Sequence, residues 1–422
     1  MLDITFIREN EELVKQGMLN KGEKDVSIVD AAIAKDEEWR RVVTDTDRLR
    51  AESNARSKEI GKLMGQGKKE EAQAIIKETG ESKEKIKELE NRTTELRAEL
   101  DQLLYKIPNV PDESVPVGHS EEDNEVFKTW GEPLDSDALK PHWEIAEKKQ
   151  WLDFDRGSKV TGAGFPFYLG RLAALQRALI NFFIAEGCNT GYKEMQAPFF
   201  VNEASARGTG QIPDKEDMMY EIQRDKFFVI PTGEVPVSNF HRDEIIDENE
   251  LPLKYVAHTP CWRREAGSYG KDVRGLNRLH QFDKVELVKI VHPDTSDDEL
   301  EKLRMHAEAL LEKLKLPYRT LLMCTGDMGF TQTKKYDLEV WSAGQQRWLE
   351  VSSCSNFGSF QARRMQLRYR SEGGKIEMTH TLNGSGLALP RVVAAILENY
   401  QTENGDVAVP EVLQPFIGSE KM

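Results

Sequence analysis

Between about residues 28 and 105 the chain carries a helical seam that admits few folds. Ala72, Ile75, Thr79, Ser82, Ile86, Leu89, Thr93, Leu96, Leu100 and Leu103 alternate in steps of three and four without a slip, the spacing of a coiled coil. Trp39, Val42, Thr46, Leu49, Ser53, Arg56, Ile60 and Leu63 repeat the pattern with more polar members, which predicts a weaker core in that half. Gly61, Gly65 and Gly67 lie between the halves. Three glycines so close disfavour helix and predict a reversal of the chain there. The expectation is an antiparallel hairpin whose helices each run on the order of 50 Å. Its tip and flanks present Arg48, Arg50, Arg56, Lys58, Lys62, Lys68 and Lys69 with few acids among them. Such a rod can follow a phosphate backbone, although lysine-rich helices also occur simply as solvated surfaces.

A second domain must follow, because 422 residues exceed what one core usually serves. Residues 1–110 are assigned to the arm. Residues 111–130, with Pro111, Pro116 and the acidic run Glu121, Glu122, Asp123, read as a linker. Residues 131–422 then form the second domain. In it, helical patterns such as 172–186 and 297–315 alternate with β-rich runs at 227–231, 254–262, 280–291 and 348–353. Few strands are separated by a single helix, so the expected class is α+β with an antiparallel sheet. Neither GxGxxG after a strand nor GxxxxGK[ST] occurs, so any nucleotide site must be of another kind.

Composition excludes several roles. No apolar run approaches the roughly 20 residues of a spanning helix, and the start MLDITFIRENEELVKQG is acidic where a leader is apolar. A cytoplasmic protein without a membrane partner is expected. The net charge of -15 repels phosphates at long range, which argues against DNA binding and requires any nucleic-acid contact to be a local positive patch. Cys188, Cys261, Cys324 and Cys354 form no CxxC pair. His258 and Cys261 alone make a poor metal site, so no zinc is expected.

Three stretches of the second domain carry chemistry. AEGCNTGYKEMQAP runs from Ala185 to Pro198. TPCWRREAGSYGKDVRGLNRLHQFDKVELV begins at Thr259, an Arg-X-Glu followed by a glycine-rich basic loop and a return strand. LNGSGLALPRVVAAILE begins at Leu382, with an arginine one turn into a helix. With TGE at Thr232 to Glu234, EVSS at Glu350 to Ser353 and NGS at Asn383 to Ser385, these resemble the three ordered motifs of class II aminoacyl-tRNA synthetases. Together with the hairpin, the chain resembles the bacterial-type seryl-tRNA synthetases from end to end.

The resemblance implies activation of L-serine by ATP with release of pyrophosphate, then transfer of serine to the 3' end of tRNA(Ser) and, where such a tRNA exists, tRNA(Sec). It implies Arg263, Glu265 and Arg391 as the catalytic set. The ATP site would comprise Arg263, Arg264, Glu265, Arg278, Leu279, Phe282, Glu350, Val351, Ser352, Ser353 and Arg391. Arg263 would hold the α-phosphate and the serine carboxylate, Arg278 and Arg391 would reach the outer phosphates, and Phe282 would stack on adenine. A planar guanidinium fork suits such oxygens. Glu350 and Ser353 would help to hold Mg2+, a hard cation that takes oxygen ligands.

For serine, the resemblance implies Thr232, Gly233, Glu234, Arg263, Glu286, Asn383 and Ser385, with Glu286 accepting the substrate hydroxyl. It further implies that the basic tip meets the long extra arm and elbow of tRNA, through backbone and shape. It also implies a homodimer whose interface includes the strand around Met195 to Pro198. Gly233 stands where alanine or serine is common in the family, and Arg264 where serine is often found. A carrier-protein acceptor fits poorly with the long hairpin. A non-catalytic descendant fits poorly with Arg263, Glu265, Glu350 and Arg391. Threonine or proline specificity fits poorly with only about 25 residues after the last helix.

Overall fold

The structure, a computed structural model, describes residues 1–136, 138–213, 217–265 and 274–422. The chain forms two compact units, one of residues 1–19 and 23–108, the other of 20–22 and 109–422. In the first, helices α1 (Ile4–Glu9) and α2 (Glu11–Asn20) precede the long helices α3 (Ser27–Gly65) and α4 (Lys69–Leu104). Every seam residue expected on α3 and α4 is buried or half-buried. At the end of α4 it is Leu104 that is fully buried and Leu103 only partly, a slip of one residue where the helix leaves the pair. Polar seam positions satisfy themselves: Thr46 Oγ1 donates to the Val42 carbonyl and Thr79 Oγ1 to that of Ile75, each at 2.7 Å. Of the three glycines only Gly67 makes the reversal, with φ +77°; Gly61 and Gly65 remain helical. The buried Asp36 receives Arg8 and Arg40, each at 2.8 Å, which ties α1 to α3.

The second unit is built on an eight-stranded sheet. Its strands are β1 (Glu125–Trp130), β2 (Lys193–Glu194), β3 (Leu253–Trp262), β4 (Gln281–Val291), β5 (Tyr318–Leu322), β6 (Lys334–Ser342), β7 (Arg347–Asn356) and β8 (His380–Ala388). The order is β1-β5-β6-β7-β8-β4-β3-β2. All pairings are antiparallel except β2 with β3, as the α+β expectation required. Its longest helices are α5 (His142–Lys149), α6 (Gly170–Asn189), α7 (Ser296–Lys313) and α8 (Leu389–Asn399), and among the described residues three smaller sheets of two or three strands and several shorter helices add to the unit. Leu175, Leu179 and Phe183 of α6, Leu303 and Leu310 of α7, and Val393 and Ile396 of α8 share one core with Val285, Leu287 and Leu382 of the sheet.

Strand β4 alternates strictly. Val285, Leu287 and Val291 enter that core, while Val288 and Ile290 enter a second one with Ala257 and Met365. Phe282, Lys284 and Glu286, in phase with Val288, face a cleft. The stretch 111–130 is not a linker. Asp112 N donates to the Thr333 carbonyl at 2.8 Å, and β1 is the edge strand beside β5. Most side chains of β1 are exposed, so no apolar face marked it as a strand in sequence. The strand expected around Met195 to Pro198 is reduced to Lys193–Glu194, after which Met195 N still donates to the Val256 carbonyl at 2.8 Å.

Candidate active site

The cleft has a volume of about 480 Å³ and opens over β4, β7 and β8. Its floor is a buried polar cluster. Lys284 Nζ lies 2.5 Å from Glu286 Oε2 and donates to Thr232 Oγ1 at 2.8 Å, while Thr232 donates to Glu286 Oε2 at 3.1 Å. Glu286 is 1% exposed. A carboxylate so deep requires a paired cation and hydrogen bonds, and this one has both. Glu234 is also buried and accepts Gln361 Nε2 at 2.6 Å. Burial pushes its carboxyl up to about 7, against the opposing Gln361 hydrogen bond. Asn383 and Ser385 alternate on β8, and Ser385 pairs with Glu286 across the strands, so both reach the same floor.

Arginines line the walls, each already engaged. Arg263 lies over the Phe282 ring at 5.3 Å and donates from Nε to the Pro231 carbonyl at 3.2 Å. Arg278 meets Glu265 at 3.1 Å, and Glu265 adopts a left-handed φ of +49°, a conformation held only where surroundings impose it. Arg391, on α8, donates to the carbonyls of Asn277 and Glu350 at 3.0 and 2.7 Å. A bulge aligns the acidic side of the cleft. Glu350 pairs with Glu339 and Ser353 with Asp337, leaving an extra residue between them on β7. Glu350 and Ser353 thereby face the same way despite a spacing of three. The Glu350 side chain is 47% exposed to the open cleft. Desolvation within the cleft pushes the carboxyl up, but Lys335, Arg391, Arg263 and Lys284 together hold it below the usual range.

The cleft thus gathers Thr232, Glu234, Arg263, Glu265, Arg278, Leu279, Phe282, Glu286, Glu350, Val351, Ser352, Ser353, Asn383, Ser385 and Arg391. Two expected residues stand apart. Arg264 turns away to Asp217 at 3.2 Å and lies over Tyr220. Gly233 is behind the floor, where a Cβ would come 3.0 Å from Thr259 Oγ1 and 3.1 Å from Glu286 Cβ. Most of the glycine-rich basic loop, 266–273, lies outside the described residues. Sequence reading missed Lys284, although its place two residues before Glu286 on one strand puts it on the same face. It also missed Lys335, which lines the cleft and pairs with Asp337 at 2.8 Å.

Among the cations expected at the hairpin tip, four are ion-paired, against the expectation of few acids. Arg48 meets Asp45 and Glu52, Arg50 meets Asp47 and Glu90, Arg56 meets Glu78, and Lys68 meets Glu71. The acids lie three or four residues away on the same helix or across the pair, positions that a linear scan for basic clusters overlooks. Lys58, Lys62 and Lys69 are exposed, and among the described residues none makes an ion pair. At the poor metal pair, His258 Nε2 is 2.7 Å from Asp283 and Cys261 is buried.

An antiparallel sheet flanked by helices, with arginines and carboxylates converging on one cleft and no GxxxxGK[ST] string in the sequence, is the architecture of a class II aminoacyl-tRNA synthetase core. Residues 219–400 match the family model for the class II core domain of the G, H, P, S and T synthetases, and residues 1–111 match that for the seryl-tRNA synthetase N-terminal domain. "Serine--tRNA ligase" of Salinibacter ruber is 56% identical over 99% of this chain and 98% of its own length, and that of Caldicellulosiruptor saccharolyticus 50% over 100% and 99%. The crystal structure of seryl-tRNA synthetase from Pyrococcus horikoshii complexed with ATP superposes with a TM-score of 0.93 at 37% identity, covering 100% of this chain and 99% of that one. This chain belongs to the seryl-tRNA synthetase family.

Proposed function

We propose that the cleft performs both steps of serine-tRNA ligation with the residues that line it. In the first, a serine carboxylate oxygen attacks the α-phosphorus of ATP, and pyrophosphate leaves to give seryl-adenylate. In the second, a hydroxyl of the terminal ribose of tRNA attacks the seryl carbonyl, and AMP leaves. The first step brings two anions together, so preorganised positive charge is the main catalytic demand. Arg263 answers it between carboxylate and α-phosphate, while Arg278 and Arg391 take the outer phosphates and Glu265 orients the nucleotide. Phe282 serves the adenine. Alignment in a fixed site makes a covalent enzyme intermediate unnecessary.

The observation that carries serine specificity is the Thr232, Lys284 and Glu286 cluster. Glu286 accepts the serine hydroxyl, with Glu234, Asn383 and Ser385 around the small side chain. Alanine would leave Glu286 without that donor, and threonine adds a methyl to a crowded floor. A pocket built to bond a hydroxyl rejects an analogue lacking it by about 10⁴-fold. Gly233 supports the floor from behind, and Arg264 remains a candidate for ATP only if it leaves Asp217. Glu350 and Ser353, an oxygen pair on one face of β7, fit Mg2+, which binds through one or two protein oxygens together with phosphates. When bound, the ion supplies charge neutralisation for the departing pyrophosphate.

For tRNA(Ser), and tRNA(Sec) where present, Lys58, Lys62 and Lys69 are the first contacts, with Arg48, Arg50, Arg56 and Lys68 following by exchange of partners. A homodimer joined along the β2 edge, acting in the cytoplasm, completes the reading. Amino-acid-dependent exchange of pyrophosphate into ATP, run over all twenty amino acids, tests it. Exchange with serine alone, and charging of tRNA(Ser) by the same preparation, is expected; no exchange with any amino acid would overturn the reading.

A further inference from the structure

Behind the cleft lies a buried polar hub that the reaction as described does not use. Glu398, on the last turn of α8, and His142, the first residue of α5, are both 0% exposed. His142 Nε2 accepts the Leu276 N–H at 2.8 Å. A backbone N–H can only donate, so Nε2 carries the lone pair and the proton resides on Nδ1, which donates to Glu398 Oε1 at 2.7 Å. Glu398 accepts four more donors: His142 N at 2.9 Å, Gly344 N at 3.0 Å, Gln345 Nε2 at 3.1 Å and the Ser342 hydroxyl. Gln345 also accepts Asn277 Nδ2 at 2.8 Å. The neighbouring Gly275, at φ +66°, has no room for a side chain, since a Cβ would come 2.2 Å from His142 Nε2.

The hub therefore grips Leu276 by its backbone and Asn277 by its side chain. Asn277 presents its carbonyl to Arg391 Nε at 3.0 Å, and the next residue, Arg278, pairs with Glu265 at 3.1 Å. We infer that His142 and Glu398 are positioning residues for the ATP half of the reaction: they fix the segment from which Arg278 projects and against which Arg391 is aimed. A displacement of 1 Å at such groups is enough to cost a large factor in rate. The serine floor, anchored by Thr232, Lys284 and Glu286, has no link to this hub among the bonds above.

The inference rests on the proposed ATP role of Arg391 and Arg278, and its test separates the two. In the full chain, His142→Leu is expected to raise the KM for ATP in serine-dependent exchange about tenfold while the KM for serine stays within about twofold. In an Arg391→Ala background the same change is expected to alter the ATP KM by about threefold or less, because residues acting as a unit are not additive. Equal shifts in both KM values, or an undiminished factor in the Arg391→Ala background, would reduce the hub to a packing element and overturn the inference. If His142→Leu does not fold, Gln345→Leu, which leaves the His142–Glu398 pair intact and cuts the link to Asn277, is expected to show the same ATP-selective rise, and a rise in both KM values would count against it. Absence of exchange in the unaltered protein would fail the proposed function instead.

Discussion

At the scale of single residues, two carboxylates on the same floor differ because their partners differ. Glu286 is neutralised by Lys284 and bonded by Thr232, whereas Glu234 has an amide for its nearest partner. With Glu286 in its proposed role as acceptor of the serine hydroxyl, replacing it by Gln would remove the charge that hydroxyl meets and leave Lys284 buried without its counter-ion. Hydrogen bonds to charged groups contribute about 1.5–3 kcal/mol, so Glu286→Gln should lower kcat/KM for serine by roughly 10- to 150-fold with the ATP KM little changed. Pyrophosphate exchange at varied serine measures this, and an equal loss for ATP would contradict the assignment. Glu234 makes a prediction about pH. Its folded pKa of about 7 lies above the ordinary value of 4.5 because burial disfavours the anion. Protonated in both states at low pH, it costs nothing there; as pH rises through this window the unfolded state ionises first and stability is lost. Glu234→Gln keeps the acceptor for Gln361 and removes the titration. Its thermal midpoint relative to the unaltered protein should therefore climb between about pH 5 and about pH 8; a difference independent of pH would show that Glu234 does not titrate in this way.

At the scale of elements, the hairpin was legible because a seam is a property of spacing, and spacing survives in sequence. The tip's electrostatics were not, because Arg50 and Glu90 lie forty positions apart and meet only when the helices pair. The predicted phosphate contacts therefore concentrate on Lys58, Lys62 and Lys69. Changing all three to Gln should weaken tRNA binding and lower the salt dependence of log K by roughly one unit per contact removed, while leaving serine-dependent exchange unaltered. Filter binding across a salt series would show it, and an unchanged slope would move the tRNA surface elsewhere. In the catalytic unit, the motif strings placed Arg263, Glu286 and Arg391, but the bulge that turns Glu350 toward Ser353 depends on pairing with β6 and has no signature within β7 itself. The edge strand β1 escaped for the opposite reason: its exposed side chains carry no alternation of burial, and only its partner β5 makes it a strand. The hub of His142 and Glu398 joins residues 256 positions apart, and no local pattern announces it.

At the scale of the molecule, the two compact units should unfold as two transitions. On the proposed function ATP and serine bind only the second, and a ligand at one hundred times its Kd stabilises by about 2.7 kcal/mol. Calorimetry with saturating ATP and serine should then move one transition and leave the other in place; a common shift would show that the units unfold together. The net charge of -15 sets a further condition on the cleft. Arg263, Arg278 and Arg391 each already hold a protein oxygen, and Arg278 and Arg391 hold carboxylate residues that would otherwise repel a nucleotide. On the proposed roles, an arriving triphosphate would draw these guanidinium groups from Glu265 and Glu350. That exchange would free the Glu350 carboxylate, 3.7 Å from Arg391, for a cation shared with the phosphates, and on the proposed roles nucleotide and metal should enter as a mutually dependent pair.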